Sequence, residues 1–305
     1  MLKQTKQTLQ TALNIHNVSD RMVKYIFAVV GFLSVSFLFL IMIFLFKEGL
    51  PIFKVVSVKD FLFGTSWYPT SEPPKFGTLP LIIASLSVTF IGAIIAVPFS
   101  LGVAIYLSEL APSIVREVVK PGIELIASIP SVIIGFFGMV VIAPFLQDHF
   151  DIDTGLNLFN ASIMLAFMAI PTIASISEDA LSSVPVSLKE ASYALGANRW
   201  QTIIHITMPA ALSGIWTAII LGIARVLGET MVVLMVAGGA TTFPTSLFDP
   251  VRPLTANIAA EMAEASYRSD HYFALFAIGI ILFILTMLFN VIANYLSMKY
   301  KFKYH

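Results

Sequence analysis

Two charged residues, Arg225 and Glu229, stand inside an apolar run that includes GIARVLGETMVV (222–233). On insertion scales, a charged side chain at the centre of a membrane helix costs about 2.5–3.5 kcal/mol of insertion free energy. Arginine stays protonated and presents a planar fork of donors that matches oxyanions, so Arg225 is predicted to attract an anion. Glu229, one helical turn further along the same face, would orient Arg225 and keep anion binding weak enough for release. The alternative is an ion pair that ties two helices together.

Two weaker groups of polar residues interrupt other apolar runs. Ser128 and Ser131 flank Pro130, where local unwinding could expose hydroxyl donors to a polar pathway; hydrogen bonds between helices are an equal explanation. Glu178 and Asp179 stand where an apolar run ends, so we expect them to be solvated or to cap the next helix.

The composition indicates an integral membrane protein. Of the 305 residues, 57% are hydrophobic and 12% are charged, with a mean hydropathy of +0.88, whereas soluble domains average about 25% charged residues. Cysteine is absent, which excludes a disulfide, a thiol nucleophile and a cysteine metal site. His205 has no second ligand at a useful spacing, so no metal site is expected.

Six apolar stretches approach the roughly 20 residues that cross a bilayer and predict an all-α protein with six transmembrane helices: 25–46, 79–107, 122–146, 161–176, 212–237 and 271–297. Pro171 interrupts the fourth. In the fifth, Arg225 would lie about 20 Å from Leu212, past the middle of the membrane core.

The positive-inside rule favours a cytoplasmic N-terminus and C-terminus (N-in/C-in). Eleven basic residues then lie inside and six outside, although four lysines in the loop at 47–78 weaken this preference. The predicted organisation is a cytoplasmic tail at 1–24, a first transmembrane helix at 25–46, an outer loop at 47–78, a core domain at 79–298 and a cytoplasmic tail at 299–305.

A polar segment separates the fourth and fifth spans, bracketed by Pro185 and Pro209. Its apolar spacing predicts a short amphipathic helix, a turn at Gly196 and a second helix that leads into the fifth span. Ser187 stands three residues before Glu190, as in a capping box.

This segment has two possible environments. It could lie on the lipid headgroups, but interfacial helices are usually rich in Lys and Arg, and this one has few basic residues. A surface of small residues suits insertion into a groove of another protein; these residues are Ala191, Ser192 and Ala194.

The same segment resembles the EAA signature of ABC-importer permeases, which runs EAA, three residues, G, nine residues, I-x-L-P. The matching positions are Glu190, Ala191, Ser192, Gly196, Ile206, Met208 and Pro209, with Ser192 for the second alanine and Met208 for leucine. The resemblance implies an ABC type I importer permease (MetI-like) fold, in which the loop at 185–209 is the coupling helix that docks on a dimeric ATP-binding subunit. No G-x-x-x-x-G-K-[ST] occurs in the chain, so ATP and Mg²⁺ are expected in that partner, with no cofactor bound by this chain.

Four further stretches look like the PstC-type permease family of phosphate ABC importers: SIPSVIIGFFGMVVIAP (128–144), PTIASISEDALSSVP (171–185), RVLGETMVV (225–233) and LTANIAAE (254–261). This resemblance implies a phosphate importer subunit in the bacterial inner membrane, with Arg225 and Glu229 in the substrate pathway. It also implies a homologous second permease and a periplasmic phosphate-binding protein as partners. Membrane lipid surrounds the spans, and no nucleic-acid partner and no enzymatic activity are expected.

Several alternatives stay open at this point. Permeases for sulfate, molybdate or phosphonate share the EAA loop, and the sister phosphate permease is the nearest relative that could be confused with this chain. An ion-coupled secondary transporter would usually carry inverted repeats, and an intramembrane enzyme would carry a catalytic motif; neither signal is seen. An amphipathic helix at 254–265 would face the binding protein or rest on the membrane.

Overall fold

A computed structural model of the chain describes residues 2–299, with side chains for residues 22–295. The α-helices are α1 (Leu2–Gly49), α2 (Val58–Phe63), α3 (Leu79–Ile105), α4 (Ser113–Ala127), α5 (Ser131–Phe137), α6 (Ala143–Phe150), α7 (Leu158–Ser182), α8 (Val186–Ala194), α9 (Arg199–Thr202), α10 (Met208–Leu227), α11 (Met231–Val236), α12 (Leu254–Glu261) and α13 (Asp270–Lys299). A short hairpin pairs β1 (Trp67–Tyr68) with β2 (Lys75–Phe76) in antiparallel register. A 3₁₀ turn covers Leu50–Lys54.

Within the described part of the chain, six helical segments are long and apolar enough to cross a membrane, which confirms the predicted number of spans: Met22–Lys54, Leu79–Leu110, Ser131–Phe150, Leu158–Ser182, Arg199–Leu227 and Asp270–Tyr295. Helix α7 continues through Pro171 without a break, so the fourth span is longer than predicted. Helix α1 runs through the predicted N-terminal tail, whose side chains before residue 22 lie outside the description. The predicted tail at 299–305 lies outside it too, apart from Lys299, and the division into domains stays a prediction.

The third span differs from its prediction at 122–146. Helix α4 ends at Ala127, and α5 begins at Ser131 after a break at 128–130. The break follows from Pro130, because a residue before proline is driven out of the helical region. The predicted unwinding at Pro130 is therefore present, and α4 is a separate amphipathic helix with no buried residue.

The fifth span also differs from the predicted uninterrupted helix at 212–237. Helix α10 ends at Leu227, residues 228–230 form a break, and α11 continues for six residues. At the other end, a π-helical turn at Ile203–Thr207 precedes Pro209 in the first turn of α10. Proline has no N–H, and its ring clashes with the carbonyl four residues earlier in a regular α-helix. This clash is relieved where the backbone hydrogen bonds widen to the i→i+5 pattern of a π-helix.

Helix α7 lies at the centre of the main core, between α3 and α10. Glycines allow the close approach: a Cβ on Gly92 would lie 3.3 Å from the Ser162 carbonyl oxygen, and one on Gly222 would lie 2.2 Å from Ile173 Cγ1. Ile173 is fully buried. The spacing of α10 and α7 therefore depends on the missing side chain at Gly222.

A second core lies at the end of the molecule away from α8 and encloses the hairpin, α12 and the start of α13. The first four residues of α12 are buried, and the Leu254 N–H donates to Ser85 Oγ at 2.8 Å. The predicted helix at 254–265 is therefore present over Leu254–Glu261, but its N-terminal half inserts between other helices and does not lie on a surface. What its exposed part faces stays a prediction. Glu261, its last residue, accepts hydrogen bonds from Trp67 Nε1 at 3.0 Å and Arg252 Nη1 at 2.7 Å.

Helix α1 meets the rest of the chain mainly through its C-terminal end. Phe44 and Phe276 of α13 form an edge-to-face pair with ring centroids 5.6 Å apart. Further toward the N-terminus α1 is exposed on all sides within the described side chains, with Phe32 73% exposed. Such an all-round apolar surface is compatible with lipid or another membrane helix.

The packing of α10 on α7 generates a stability prediction. Gly222→Ala is expected to destabilise the purified chain in detergent by about 1–3 kcal/mol, because the added methyl overpacks against buried Ile173. Gly102→Ala on α3 is the matched control, since a Cβ there meets nothing within 4 Å and alanine favours the helix. Thermal unfolding of both variants tests this; an unchanged transition for Gly222→Ala would contradict the packing.

Candidate functional site

Arg225 stands in the last turn of α10 and bridges two other helices. Its Nη1 donates to Thr172 Oγ1 of α7, and its Nη2 donates to the carbonyl oxygen of Ala127, the last residue of α4, both at 3.2 Å. The final carbonyls of a helix lack internal partners and carry partial negative charge. The guanidinium therefore stabilises the broken end of α4.

Thr172 gives the depth of this guanidinium. It lies about 21 Å along α7 from Leu158 and about 15 Å from Ser182, at 1.5 Å per residue. Arg225 thus sits close to the middle of α7, slightly nearer the end that leads to α8. Its predicted depth past the middle of the membrane core stays a prediction.

Glu229 lies in the break after α10 rather than on it. Its Oε1 accepts the N–H groups of Met231 at 3.0 Å and Val232 at 3.3 Å, so the carboxylate caps the start of α11. The predicted placement one turn beyond Arg225 on the same helical face is wrong, because α10 has already ended at Leu227. Among residues 22–295 no ion pair joins Arg225 to Glu229, so the alternative of a direct structural pair is not supported either.

The guanidinium keeps donors free for a ligand. Arginine carries five N–H donors, and Arg225 uses two of them within the described part of the chain. The residue is exposed in the single chain, on a face shared with the break at 128–130. An oxyanion that reaches this face would meet a fixed cation held in place from two sides.

The two predicted serines lie at that break. Ser128 Oγ donates to the Leu125 carbonyl at 2.6 Å, a bond within its own turn. Ser131 is half-buried as the first residue of α5. Both therefore border the exposed face beside Arg225, and their part in a substrate pathway stays a prediction.

Glu178, which we expected to be solvated or to cap a helix, is fully buried. Its Oε1 lies 2.5 Å from Arg116 Nη2 and its Oε2 lies 2.6 Å from Lys120 Nζ, both on α4, and Ser182 Oγ donates to it at 2.7 Å. A buried carboxylate needs such partners. This cluster fastens the exposed helix α4 to α7.

Lys120 also pairs with the exposed carboxylate of Asp179. Burial alone would lower the pKa of Lys120, but hydrogen bonds and charge attraction from Asp179 and Glu178 outweigh it and raise the pKa above 10.5. The stabilisation from this raised pKa is fully present below 10.5 and is lost as the pH rises through the higher value of the folded state. The clamp on α4 is therefore intact at neutral pH.

The loop between the fourth and fifth spans has the predicted shape of helix, glycine turn and helix. Gly196 adopts φ +82°, and its N–H donates to the Tyr193 carbonyl while the Ala197 N–H donates to that of Ser192, which together form a Schellman motif. The predicted capping box of Ser187 and Glu190 is wrong, because Pro185 occupies the N-cap of α8. A capping box is found instead at the start of α9, between Asn198 and Gln201.

The exposed surface of this loop is largely apolar. Leu195 is 90% and Trp200 59% exposed, and Glu190 and Ala191 are exposed beside them. Ser192, predicted on the same small-residue surface, is buried and bonds Thr202 at 2.9 Å, because it joins α8 to α9.

Ile206 and Pro209 lie away from that surface. Both are half-buried, where the loop enters α10. They belong to the connection to the fifth span, and their part in ATPase coupling stays a prediction.

Sequence reasoning missed two parts of the site. The Ala127 carbonyl has no sequence signal as a partner of Arg225, since any residue could supply it. The two cations that pair with Glu178 did have a sequence signal, because Arg116 and Lys120 are four residues apart, on one face of an amphipathic helix.

Comparison with known proteins gives a consistent relationship. Residues 96–302 match the family described as binding-protein-dependent transport system inner membrane component. A probable ABC transporter permease protein YqgH of Bacillus subtilis (strain 168) is 43% identical, over 86% of this chain and 85% of that protein. The phosphate transport system permease protein PstC of Pasteurella multocida (strain Pm70) is 34% identical, over 98% of both chains.

Solved structures share the fold. A bacterial alginate ABC transporter, in complex with a pentasaccharide-bound periplasmic protein, matches with a TM-score of 0.62 at 16% identity, over 87% of this chain and 90% of that chain. The MetNI methionine ABC transporter, in an inward-facing conformation, matches with a TM-score of 0.59 at 23% identity, over 76% and 99%. This multi-pass inner-membrane chain belongs to the binding-protein-dependent transport system inner membrane components, and within them to the phosphate transport system permease proteins of the PstC type.

Proposed function

We propose that the chain passes inorganic phosphate across the bacterial inner membrane as one permease subunit of an ATP-driven importer. The observation that carries this proposal is Arg225, a cation near mid-membrane, exposed at the junction of two broken helices. Intramembrane charges mark substrate paths when they face a cavity or partner surface. The chain itself performs no covalent chemistry.

The proposed orientation places α8 in the cytoplasm, with both termini on that side. The clamp of Arg116 and Lys120 and the loop cations Lys189 and Arg199 then lie inside, as the positive-inside rule prefers. The hairpin, α12 and the second core face the periplasm, where a phosphate-binding protein would deliver substrate.

A homologous second permease would complete the pathway. Arg225 and the break at 128–130 lie on an exposed face of the single chain, at a depth where exposure to lipid would be unfavourable for a charge. A second subunit against this face would enclose a path between the two chains, with Arg225 on its wall. Glu229 would hold the start of α11 in place beside Arg225.

The energy would come from a dimeric ATP-binding subunit that binds ATP and Mg²⁺. Its grooves would receive the exposed apolar tip around Leu195 and Trp200, as helix-in-groove recognition requires. Closure of the ATPases on ATP would draw the two coupling helices together, closing the inner gate while the outer gate opens.

Other oxyanions fit the same guanidinium, because its donors match sulfate as well as phosphate. The PstC relatives favour phosphate. An ion-coupled secondary transporter would need no ATPase, and the exposed apolar tip of α8 would then have no purpose in water.

Arg225→Gln tests the anion role. We expect phosphate uptake by the assembled importer to fall about 10–100-fold, the effect of losing one charge-assisted contact of about 1.5–3 kcal/mol. Arg268→Gln is the control, since Arg268 is an exposed cation stacked on Tyr267 outside the membrane-spanning helices. Uptake is measured in proteoliposomes and assembly by gel filtration. Normal uptake in Arg225→Gln, or loss of assembly with it, would contradict the anion role.

Leu195→Asp tests the docking of the ATPase. The variant is expected to weaken retention of the ATP-binding subunit about tenfold or more, because a carboxylate would be buried in an apolar groove. Leu247→Asp, an equally drastic change at an exposed leucine in the loop between α11 and α12, should leave retention unchanged. Co-purification from detergent gives the result; equal retention by both variants would refute docking at this tip.

A further inference from the structure

Glu109 joins the loop of α8 and α9 to the membrane part of the chain. It lies in a π-helical turn at Tyr106–Leu110, which ends the second span. Its Oε1 lies 2.6 Å from Lys189 Nζ on α8, and the Glu109 side chain is 6% exposed. Its backbone carbonyl accepts a hydrogen bond from Arg199 Nη2 at the start of α9. One residue therefore holds both helices of the loop.

This contact is distinctive within the described part of the chain. Among residues 22–295, Lys189–Glu109 is the one ion pair that connects the segment 186–202 to any other helix. Both charged groups are largely shielded from water, with Lys189 17% exposed. Removing one partner would therefore leave the other as an uncompensated, largely buried charge. The α8–α9 loop is therefore connected to the membrane region by one ion pair and by the hydrogen bond from Arg199 to the Glu109 carbonyl.

Glu109 is also continuous with helix α4. The π-helical turn is followed by Ala111 and Pro112, and α4 begins at Ser113. The turn is closed by a hydrogen bond of 2.7 Å from the Ala111 N–H to the Tyr106 carbonyl, and the Arg116 N–H donates to the Pro112 carbonyl. A proline and these bonds leave little freedom between Glu109 and α4.

Helix α4 reaches from this anchor to the proposed anion site. It has 15 residues, about 21 Å of helix, and no buried residue of its own. Glu178 holds its middle through Arg116 and Lys120, and Arg225 holds its last carbonyl. A rigid element with contacts at both ends can transmit a displacement from one end to the other.

We propose that Glu109 is a positioning residue that couples movement of the α8–α9 loop, through helix α4, to the position of Arg225. Pull on α8 by the ATPase reaches Lys189 and Arg199, moves the turn that bears Glu109, and shifts α4. The Ala127 carbonyl moves with α4, so the guanidinium of Arg225 changes its exposure to the path. This inference rests on the proposed transport function and adds a second route beside the direct connection of the loop to α10.

The test uses the complete importer, with second permease, ATPase and binding protein, in proteoliposomes. Phosphate uptake and ATP hydrolysis are measured in the same preparation, and the readout is phosphate moved per ATP hydrolysed. Glu109→Lys and Lys189→Glu are each expected to lower this ratio about tenfold. The combined variant restores the opposite charges and is expected to recover most of it.

Matched variants separate this role from a structural one. Glu117→Gln on α4 removes an exposed carboxylate and should leave the ratio unchanged. If the charge reversals prevent assembly, Glu109→Gln and Lys189→Met serve instead: their combined effect on the ratio should equal that of either alone, since both remove one contact. An unchanged ratio in the single variants, or additive effects without recovery in the combined ones, would overturn the inference.

The wild-type importer measured in parallel distinguishes the two proposals. If it shows no ATP-driven phosphate uptake, the proposed function fails. If it transports normally and the Glu109 and Lys189 variants keep the same ratio, the proposed function stands and the role of Glu109 fails.

Discussion

Backbone groups buried in a membrane must be satisfied inside the protein, and two helix breaks of this chain, at 128–130 and 228–230, lie beside Arg225 and Glu229. The break at 128–130 leaves the last carbonyls of α4 without helical partners, and the break at 228–230 leaves the first N–H groups of α11 without theirs. Arg225 donates to the first set and Glu229 accepts from the second. The two charges are therefore kept in the membrane by helix ends rather than by each other.

This arrangement explains how the charges are tolerated and why they remain available. A guanidinium paired directly with a carboxylate would be neutralised, whereas one that caps a carbonyl keeps its full charge and most of its donors. Helix α4, which has no buried residue, is held by Arg225 at its last residue and by buried Glu178 in its middle. The candidate anion site at the end of α4 and the Glu178 cluster at its middle thus belong to one polar framework around α4.

The sequence predicted features that local chemistry determines. Six apolar runs gave the spans, and Gly196 ended α8 because its left-handed backbone favours glycine. Partners brought together by the tertiary fold were not predictable. The Ala127 carbonyl, which accepts a hydrogen bond from Arg225, lies 98 residues away in the sequence. Glu178 is buried because Arg116 and Lys120 of α4 cover it. The prediction of a continuous fifth span was wrong for a related reason. The apolar pattern of 212–237 gives no sign of the break at 228–230, where Thr255 donates a hydrogen bond to the Glu229 carbonyl.

The proposed function requires that phosphate uptake be driven by ATP hydrolysed in a separate subunit. The most direct measurement is uptake of radiolabelled phosphate into proteoliposomes that contain the complete importer. Uptake is compared with and without ATP, and with and without an ionophore that collapses the proton gradient. We expect uptake that requires ATP and the binding protein and that persists when the ionophore collapses the gradient. Uptake that continues without ATP hydrolysis, or stops with the gradient while ATP is present, would contradict it.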